Sequence, residues 1–192
     1  MENEVISVRV PGNLMYIHFI NDTSELLFKA RITFYSEELY NDFVQDMRII
    51  MYELFSNAVH HSKSDELTVE FELTDDTISV TFMTNNIGYG IKRMDMKVEG
   101  TDEHPIIFPP YYPEFLNKEF IVYRDIQNEV VCKVTGAFST EFHNRKNIVH
   151  RNDVTDIPEH YGLNLITKLA HKTAYRRKEK GVDCFTIMKR LR

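Results

Sequence analysis

Tryptophan is absent from this 192-residue sequence, and cysteine occurs only twice, as Cys132 and Cys184. Because the two cysteines lie far apart in the chain, they form neither a metal-ligand pair nor a disulfide framework, which is typical of a reducing compartment. The sequence also lacks a basic region followed by an apolar run at its start, and no apolar stretch approaches the length of a membrane span. We therefore predict a cytoplasmic protein without a secretion signal or a membrane segment.

Positive charge is also scarce, since the formal net charge is -6 and no basic stripe with interleaved aromatic residues is present. Binding to phosphate backbones normally requires a basic face, so we expect no direct contact with nucleic acid. What the sequence does contain is ordinary for a globular protein: 43% hydrophobic and 27% charged residues, with thirteen Phe and ten Tyr to fill a core. The length predicts a single domain that spans residues 1–192.

The N-terminal pattern predicts a strand over residues 5–10, stopped by Pro11. Residues 14–19 are compatible with a helix or with a second strand. Residues 21–24 offer helix caps, so we expect the next helix to cover residues 25–30.

The most regular element is a helix from Ser36, which can cap the first turn, to about His61. Its apolar residues recur at helical spacing and predict one core stripe, formed by Leu39, Phe43, Met47, Ile50, Leu54 and Ala58. Glu53 and Asn57 stand four positions apart at the edge of this stripe, so their side chains lie on one face of the helix. Such a pair is either an exposed polar stripe or a site for a polar ligand, such as a nucleotide with its metal ion.

Alternation of apolar and polar residues then predicts an antiparallel hairpin over residues 65–82 with one buried face. The hairpin ends in a loop that contains Gly88 and Gly90, which allow backbone conformations that other residues resist. Near the C-terminus we predict a helix over residues 161–170, followed by two strands between residues 173 and 189.

Residues 91–161 form an insertion that is longer than a plain loop should be, and we interpret it as an extended lid. Within it, strands over residues 119–124 and 129–135 are expected to form a β-hairpin. The stretch over residues 142–158 is polar, and we expect it to be mobile.

Three motifs follow one another in the sequence, namely Glu53-Leu-Phe-Ser-Asn57-Ala-Val-His-His61, Asn86-Ile-Gly88-Tyr-Gly90 and His160-Tyr-Gly162-Leu163. In their order and spacing they resemble the N box, the D-x-G-x-G box and the G-x-G-L box of the GHKL ATPase superfamily. Within it, the chain resembles the bacterial anti-sigma-factor serine kinases. The resemblance covers about residues 1–90 and 159–192. It implies an α+β two-layer sandwich of the Bergerat type, with a mixed, mostly antiparallel sheet and the helices packed on one face.

The resemblance also implies a role for each matching residue on the phosphate side of the site. Asn57 would bind the Mg²⁺ that bridges the phosphates of ATP, and Glu53 would act as general base toward a protein serine or threonine. The amides that open the helix at Gly162 and Leu163 would face phosphate. His60 or His61 would also help to bind phosphate, unless both are simply exposed histidines at the end of their helix.

On the adenine side, Gly88 and Gly90 would let the backbone approach the nucleotide. Asn86 stands where the family has an aspartate that reads adenine, and an amide oxygen can accept the same hydrogen bond without the charge. His160 replaces the first glycine of the last motif, and Asp183 stands about where many members have a threonine. These departures leave a degenerate site as an alternative to a catalytic one.

The implied cofactors are therefore ATP and Mg²⁺, and the implied activity is that of a serine/threonine protein kinase. The implied partners are an anti-sigma-factor antagonist protein, a sigma factor or both, and a homodimer is possible. The alternative is a non-catalytic GHKL-fold module that binds proteins and binds nucleotide weakly or not at all. The basic stretch Arg176-Arg-Lys178 is either a solvated turn or a contact for an acidic protein.

Overall fold

The structure is a computed structural model that describes residues 4–32, 36–62, 64–85, 88–101, 103–147 and 161–191. Three residues of the sequence motifs, Asn86, Ile87 and His160, lie outside the described residues, as does most of the predicted mobile stretch. Their roles stay predictions.

Ten strands and three α-helices are described. The strands are β1 (Glu4–Pro11), β2 (Glu66–Leu73), β3 (Thr77–Asn85), β4 (Ile91–Lys92), β5 (Ile106–Ile107), β6 (Glu119–Arg124), β7 (Asn128–Gly136), β8 (Ser139–Lys146), β9 (Lys172–Arg177) and β10 (Val182–Arg190). The helices are α1 (Ile17–Arg31), α2 (Glu37–Ser62) and α3 (Tyr161–Leu169).

Eight strands form one sheet in the order β1-β2-β3-β10-β9-β8-β7-β6, and β4 pairs with β5 in a separate short ladder. The pairings are antiparallel throughout the described strands. The predicted α+β architecture with a mostly antiparallel sheet is confirmed. The parallel pair that a mixed sheet would require does not occur among the described strands.

One face of the sheet packs against the helices. In β3 the side chains of Ile78, Val80 and Phe82 alternate with partly exposed polar ones, and at most 2% of their surface is exposed. They share a hydrophobic cluster with Met47 and Ile50 of α2, which are fully buried. Because alternate strand residues point to opposite faces, this pattern fixes which face of the sheet the helices cover.

The predicted start of α2 is confirmed, whereas the predicted start of α1 is not. The Ser36 hydroxyl accepts a hydrogen bond from the Leu39 amide (3.2 Å), as the predicted cap requires. The prediction that α1 begins after residues 21–24 is wrong. Asn13 caps a short 3-10 turn ahead of α1, and the Ser24 hydroxyl bonds the Ile20 carbonyl inside the helix (2.6 Å). Leu39 is also not a core residue, because it belongs to the first turn of α2 and is 51% exposed.

The insertion extends the sheet. The predicted hairpin is confirmed as β6 and β7, and a further strand, β8, joins β7 to β9. The prediction of a mobile stretch is therefore wrong for residues 142–146. In β8 the buried side chains of Thr140 and Phe142 alternate with more exposed polar ones, and Phe142 belongs to a second hydrophobic cluster with residues of β6 and β7. No helix in the described ranges combines the length and the hydropathy that crossing a bilayer requires.

Candidate functional site

The structure brings Glu53 and Asn57 of α2 together with Gly162 in the first turn of α3. A Cβ atom added at Gly162 would overlap the Glu53 Oε2 atom, and it would lie 3.2 Å from Glu53 Cδ and 3.5 Å from Asn57 Nδ2. Glycine is thus the residue that lets the backbone of α3 approach these two side chains so closely. We call this group of three residues the α2–α3 end.

Three sets of contacts hold α3 in this place. Leu163 and Ile166 bury their side chains in the two hydrophobic clusters, one residue in each. The fully buried Asn164 accepts a hydrogen bond from Asn144 Nδ2 of β8 (2.8 Å). At the other end of the helix, the Lys189 ammonium donates to the Leu169 carbonyl and to Asp46 of α2, both at 2.7 Å. The helix is therefore tied to α2 and to the insertion at the same time.

The Glu53 side chain is half-buried, and burial raises the pKa of its carboxyl above the usual glutamate range. A raised pKa makes a carboxylate a better proton acceptor, which is a property that a general base needs. The carboxylate also lies beside the first turn of α3, where the helix dipole favours negative charge.

Two histidines, His60 and His61, lie in the last turn of α2. The His60 Nδ1 atom lies 2.8 Å from the Ser56 carbonyl oxygen of its own helix. His61 is exposed in the last turn of α2, and its predicted contact with phosphate stays a prediction. Within the described ranges, no three His, Cys, Asp or Glu side chains cluster in a way that could hold a metal ion. The amide oxygen of Asn57 falls outside that set of ligands, so its role toward Mg²⁺ also stays a prediction.

The second motif lies in a different environment. A Cβ atom at Gly90 would lie 2.7 Å from Ile106 Cγ2 and 2.8 Å from Phe108 Cε1. A Cβ atom at Gly88 would lie 2.9 Å from Pro109 Cγ, and Gly88 also has a φ of 110°, which favours glycine. The glycines therefore make the close backbone approach that the sequence predicted, but here the approach is to the chain's own insertion.

The backbone groups of Tyr89, between these glycines, are bound by two tyrosine side chains. The Tyr89 amide donates to the Tyr175 hydroxyl (3.1 Å), and the Tyr111 hydroxyl donates to the Tyr89 carbonyl (3.2 Å). Burial raises the pKa of both Tyr111 and Tyr175, so both hydroxyls keep their protons. A ligand would have to displace the tyrosines to reach these backbone groups.

Asp183 completes this second group. Its Oδ1 atom accepts hydrogen bonds from the Tyr175 hydroxyl and from Arg177 Nη1, both at 2.8 Å, and only 7% of the residue is exposed. Arg177 Nη1 also lies near the position that a Gly88 Cβ would take. We call Gly88, Gly90, Tyr175, Arg177 and Asp183 the glycine-loop end.

The three residues of the basic stretch Arg176-Arg-Lys178, at the end of β9, do not share one environment. Arg177 points toward Asp183, whereas Arg176 and Lys178 are exposed. Sequence reasoning gave Tyr111, Tyr175 and Arg177 no individual role. The short turn between β9 and β10 could have predicted the pairing of Arg177 with Asp183, because the length of a turn sets the register of its two strands. The two residues are directly opposite in the structure.

The two ends share the second hydrophobic cluster, since Leu163 beside Gly162 and Tyr175 beside Asp183 both belong to it. This cluster also includes Tyr89 at its edge. Residues of the second and third motifs thus border the same cluster, and the first motif meets the third at Gly162. Among known proteins, no family model matches the chain, and no curated protein matches it either.

Proposed function

We propose that this chain is an ATP-binding regulatory protein of the anti-sigma type, with the GHKL fold and a serine/threonine kinase activity toward a small antagonist protein. The observation that carries the proposal is the meeting of Glu53 and Asn57 with Gly162. These residues come from two motifs that are separated by more than one hundred positions in the sequence, and only their resemblance to one superfamily relates them. Their contact agrees with that resemblance and supports the proposal.

The order of elements supports the same proposal. A long helix with Glu53 and Asn57 precedes two paired strands, and the glycine loop, the insertion, α3 and two more paired strands follow. This is the order that the resemblance implies for a Bergerat-type domain.

The residue types of the α2–α3 end suit a nucleotide with its metal ion. The Asn57 amide oxygen would hold Mg²⁺, and the first turn of α3 at Gly162 offers backbone amides and a favourable dipole. When bound, ATP with Mg²⁺ supplies the phosphoryl group and neutralises its charge. Glu53 would orient the hydroxyl of a serine and accept its proton at a carboxylate oxygen, which its raised pKa favours.

The glycine-loop end does not fit a nucleoside in the conformation described, because Ile106, Phe108 and Pro109 occupy the space beside Gly88 and Gly90. This observation favours the second candidate function, a non-catalytic protein-interaction module with weak or no nucleotide binding. The antagonist protein, the sigma factor and the homodimer are proposed on the resemblance alone.

Thermal unfolding with ATP and Mg²⁺ separates the two candidates. A ligand that binds only the folded state should add about 2.7 kcal/mol at one hundred times its dissociation constant, which raises Tm by roughly 5 to 10 °C in a chain of this length. The absence of any shift at millimolar ATP would favour the non-catalytic module.

If ATP binds, Glu53→Ala should leave this shift in place. It should lower phosphate transfer to serine-containing peptides by about 100-fold or more, since a general base contributes at least that factor. Asn57→Ala should weaken the magnesium dependence of the shift. Glu66→Ala, which removes an exposed carboxylate from β2, is the matched control and should change neither quantity.

A further inference from the structure

Residues 105–111, which we call the strap, lie over the glycine loop. Three consecutive contacts define the cover: Ile106 and Phe108 pack on Gly90, and Pro109 packs on Gly88. The strap thus takes the space through which another molecule would have to approach these two glycines.

The strap is joined to the chain that leaves the glycine loop by only a short ladder. β4 and β5 pair through two residues each, with Ile91 opposite Ile107 and Lys92 opposite Ile106. One further backbone bond, from the Arg93 amide to the Pro105 carbonyl (3.0 Å), extends this ladder. An element with so few ladder hydrogen bonds can open locally without unfolding the eight-stranded sheet.

The side chains that cover the glycines are themselves only half-buried. Ile106 is 53% exposed and Phe108 is 46% exposed, whereas Tyr111, at the end of the strap, is 3% exposed. Tyr111 is anchored further by its amide, which donates to the Ala137 carbonyl (2.7 Å). The strap is therefore held at Tyr111 and at Ile107, which packs against the second hydrophobic cluster, while Ile106 and Phe108 are more loosely covered.

We propose that the strap is an autoinhibitory cover, which must leave the glycine loop before a nucleotide can bind there. This inference rests on the proposed function, because it assigns a regulation to the same site. In the described conformation the strap and a nucleoside exclude each other. The observed affinity for nucleotide is therefore the intrinsic affinity multiplied by the fraction of molecules in which the strap is open. A partner that holds Ile106 and Phe108 away from the loop would raise the affinity.

The test compares the wild-type chain with the double variant Ile106→Ser and Phe108→Ser. Both positions are half-exposed, so the fold should tolerate the changes while the cover loses its apolar contacts. The matched control is Leu116→Ser with Ile126→Ser, which removes two apolar side chains of similar exposure (48% and 67%) from the same insertion. The probe is a fluorescent ATP analogue with Mg²⁺, and its dissociation constant is measured for all three proteins.

We expect the strap variant to bind the analogue at least about tenfold more tightly than the wild type and the control variant. Equal, measurable affinity in all three proteins would overturn the cover and leave the proposed function standing. No binding in any of them would overturn both.

Hydrogen exchange gives a second measurement on the wild-type chain. ATP with Mg²⁺ should speed exchange of the amides in the β4–β5 ladder, because binding would select molecules with an open strap. Slower exchange of these amides on binding would show that nucleotide and strap coexist, and would contradict the cover.

Discussion

At the α2–α3 end, Glu53, Asn57 and Gly162 meet through a backbone approach, whereas at the glycine-loop end the polar groups are already bound to one another. The Glu53 carboxylate is half-buried with a raised pKa, and the Asn57 side chain is also half-buried. Asp183, in contrast, is buried and accepts two hydrogen bonds. A polar group that keeps part of its surface in solvent remains available to a ligand. A polar group that is buried and already makes its hydrogen bonds within the protein contributes to the fold instead.

Asp183→Ala should have the largest effect on stability. The substitution removes a buried carboxylate from Tyr175 and Arg177, and breaking a buried ion pair on one side typically costs about 3 to 5 kcal/mol. The chain keeps a good control in the exposed Arg9–Glu66 pair, where Glu66→Ala should cost at most about 1 kcal/mol. Urea unfolding of both variants measures the difference. Similar losses of unfolding free energy in the two variants would mean that the Asp183 contacts stabilise the fold no more than an exposed ion pair does.

The elements around both ends were predicted from local pattern with good success, because their signals are short-range. The core stripe of α2 follows from helical spacing, and β2 and β3 follow from alternation. The cap of α2 at Ser36 was also predicted, since a serine ahead of acidic residues is a local signal.

The contacts between distant segments could not be predicted in the same way. That Ile106, Phe108 and Pro109 cover Gly88 and Gly90 depends on how the insertion folds back, and no local pattern encodes this. The glycines alone indicated a close approach of some kind. Sequence reasoning assigned it to a nucleotide, whereas the described structure shows the chain's own side chains there. The β8 strand was missed because its exposed face is strongly polar and resembles a loop.

Gly162→Ala tests the proposed role of the α2–α3 end by changing its shape rather than its charge. The new Cβ must push the Glu53 carboxylate aside, and a displacement of about 1 Å can lower a reaction rate by about 100-fold. Stability should change by no more than about 1 kcal/mol, because alanine is the better helix former and the Glu53 side chain can move. Phosphate transfer to serine-containing peptides and urea unfolding measure the two quantities. Tyr161→Ala, in the same turn but with its side chain half-exposed, should leave transfer unchanged. An unchanged transfer rate in Gly162→Ala would mean that the close approach at Gly162 is not needed for phosphate transfer.

Glu53→Gln should have the smallest effect on Tm, and the size of this effect depends on pH. Burial raises the pKa of Glu53 in the folded state, so the folded protein holds this proton more tightly than the unfolded chain does. The resulting stabilisation is fully present below the unfolded pKa and is lost as pH rises through the folded pKa. Glutamine resembles the neutral carboxyl at every pH, so Glu53→Gln should raise Tm at pH 7, by at most about 2 °C.

Thermal unfolding of wild type and Glu53→Gln from pH 4 to pH 8 measures this difference, which should disappear toward pH 4. Glu66→Gln, an exposed change, should show no such trend. A lower Tm for Glu53→Gln at pH 7 would reverse the conclusion about charge at this position. It would mean that the amides in the first turn of α3 stabilise the carboxylate by more than burial destabilises it. Glu53 would then act as a structural partner of α3, and the comparison between the two ends would lose its main difference.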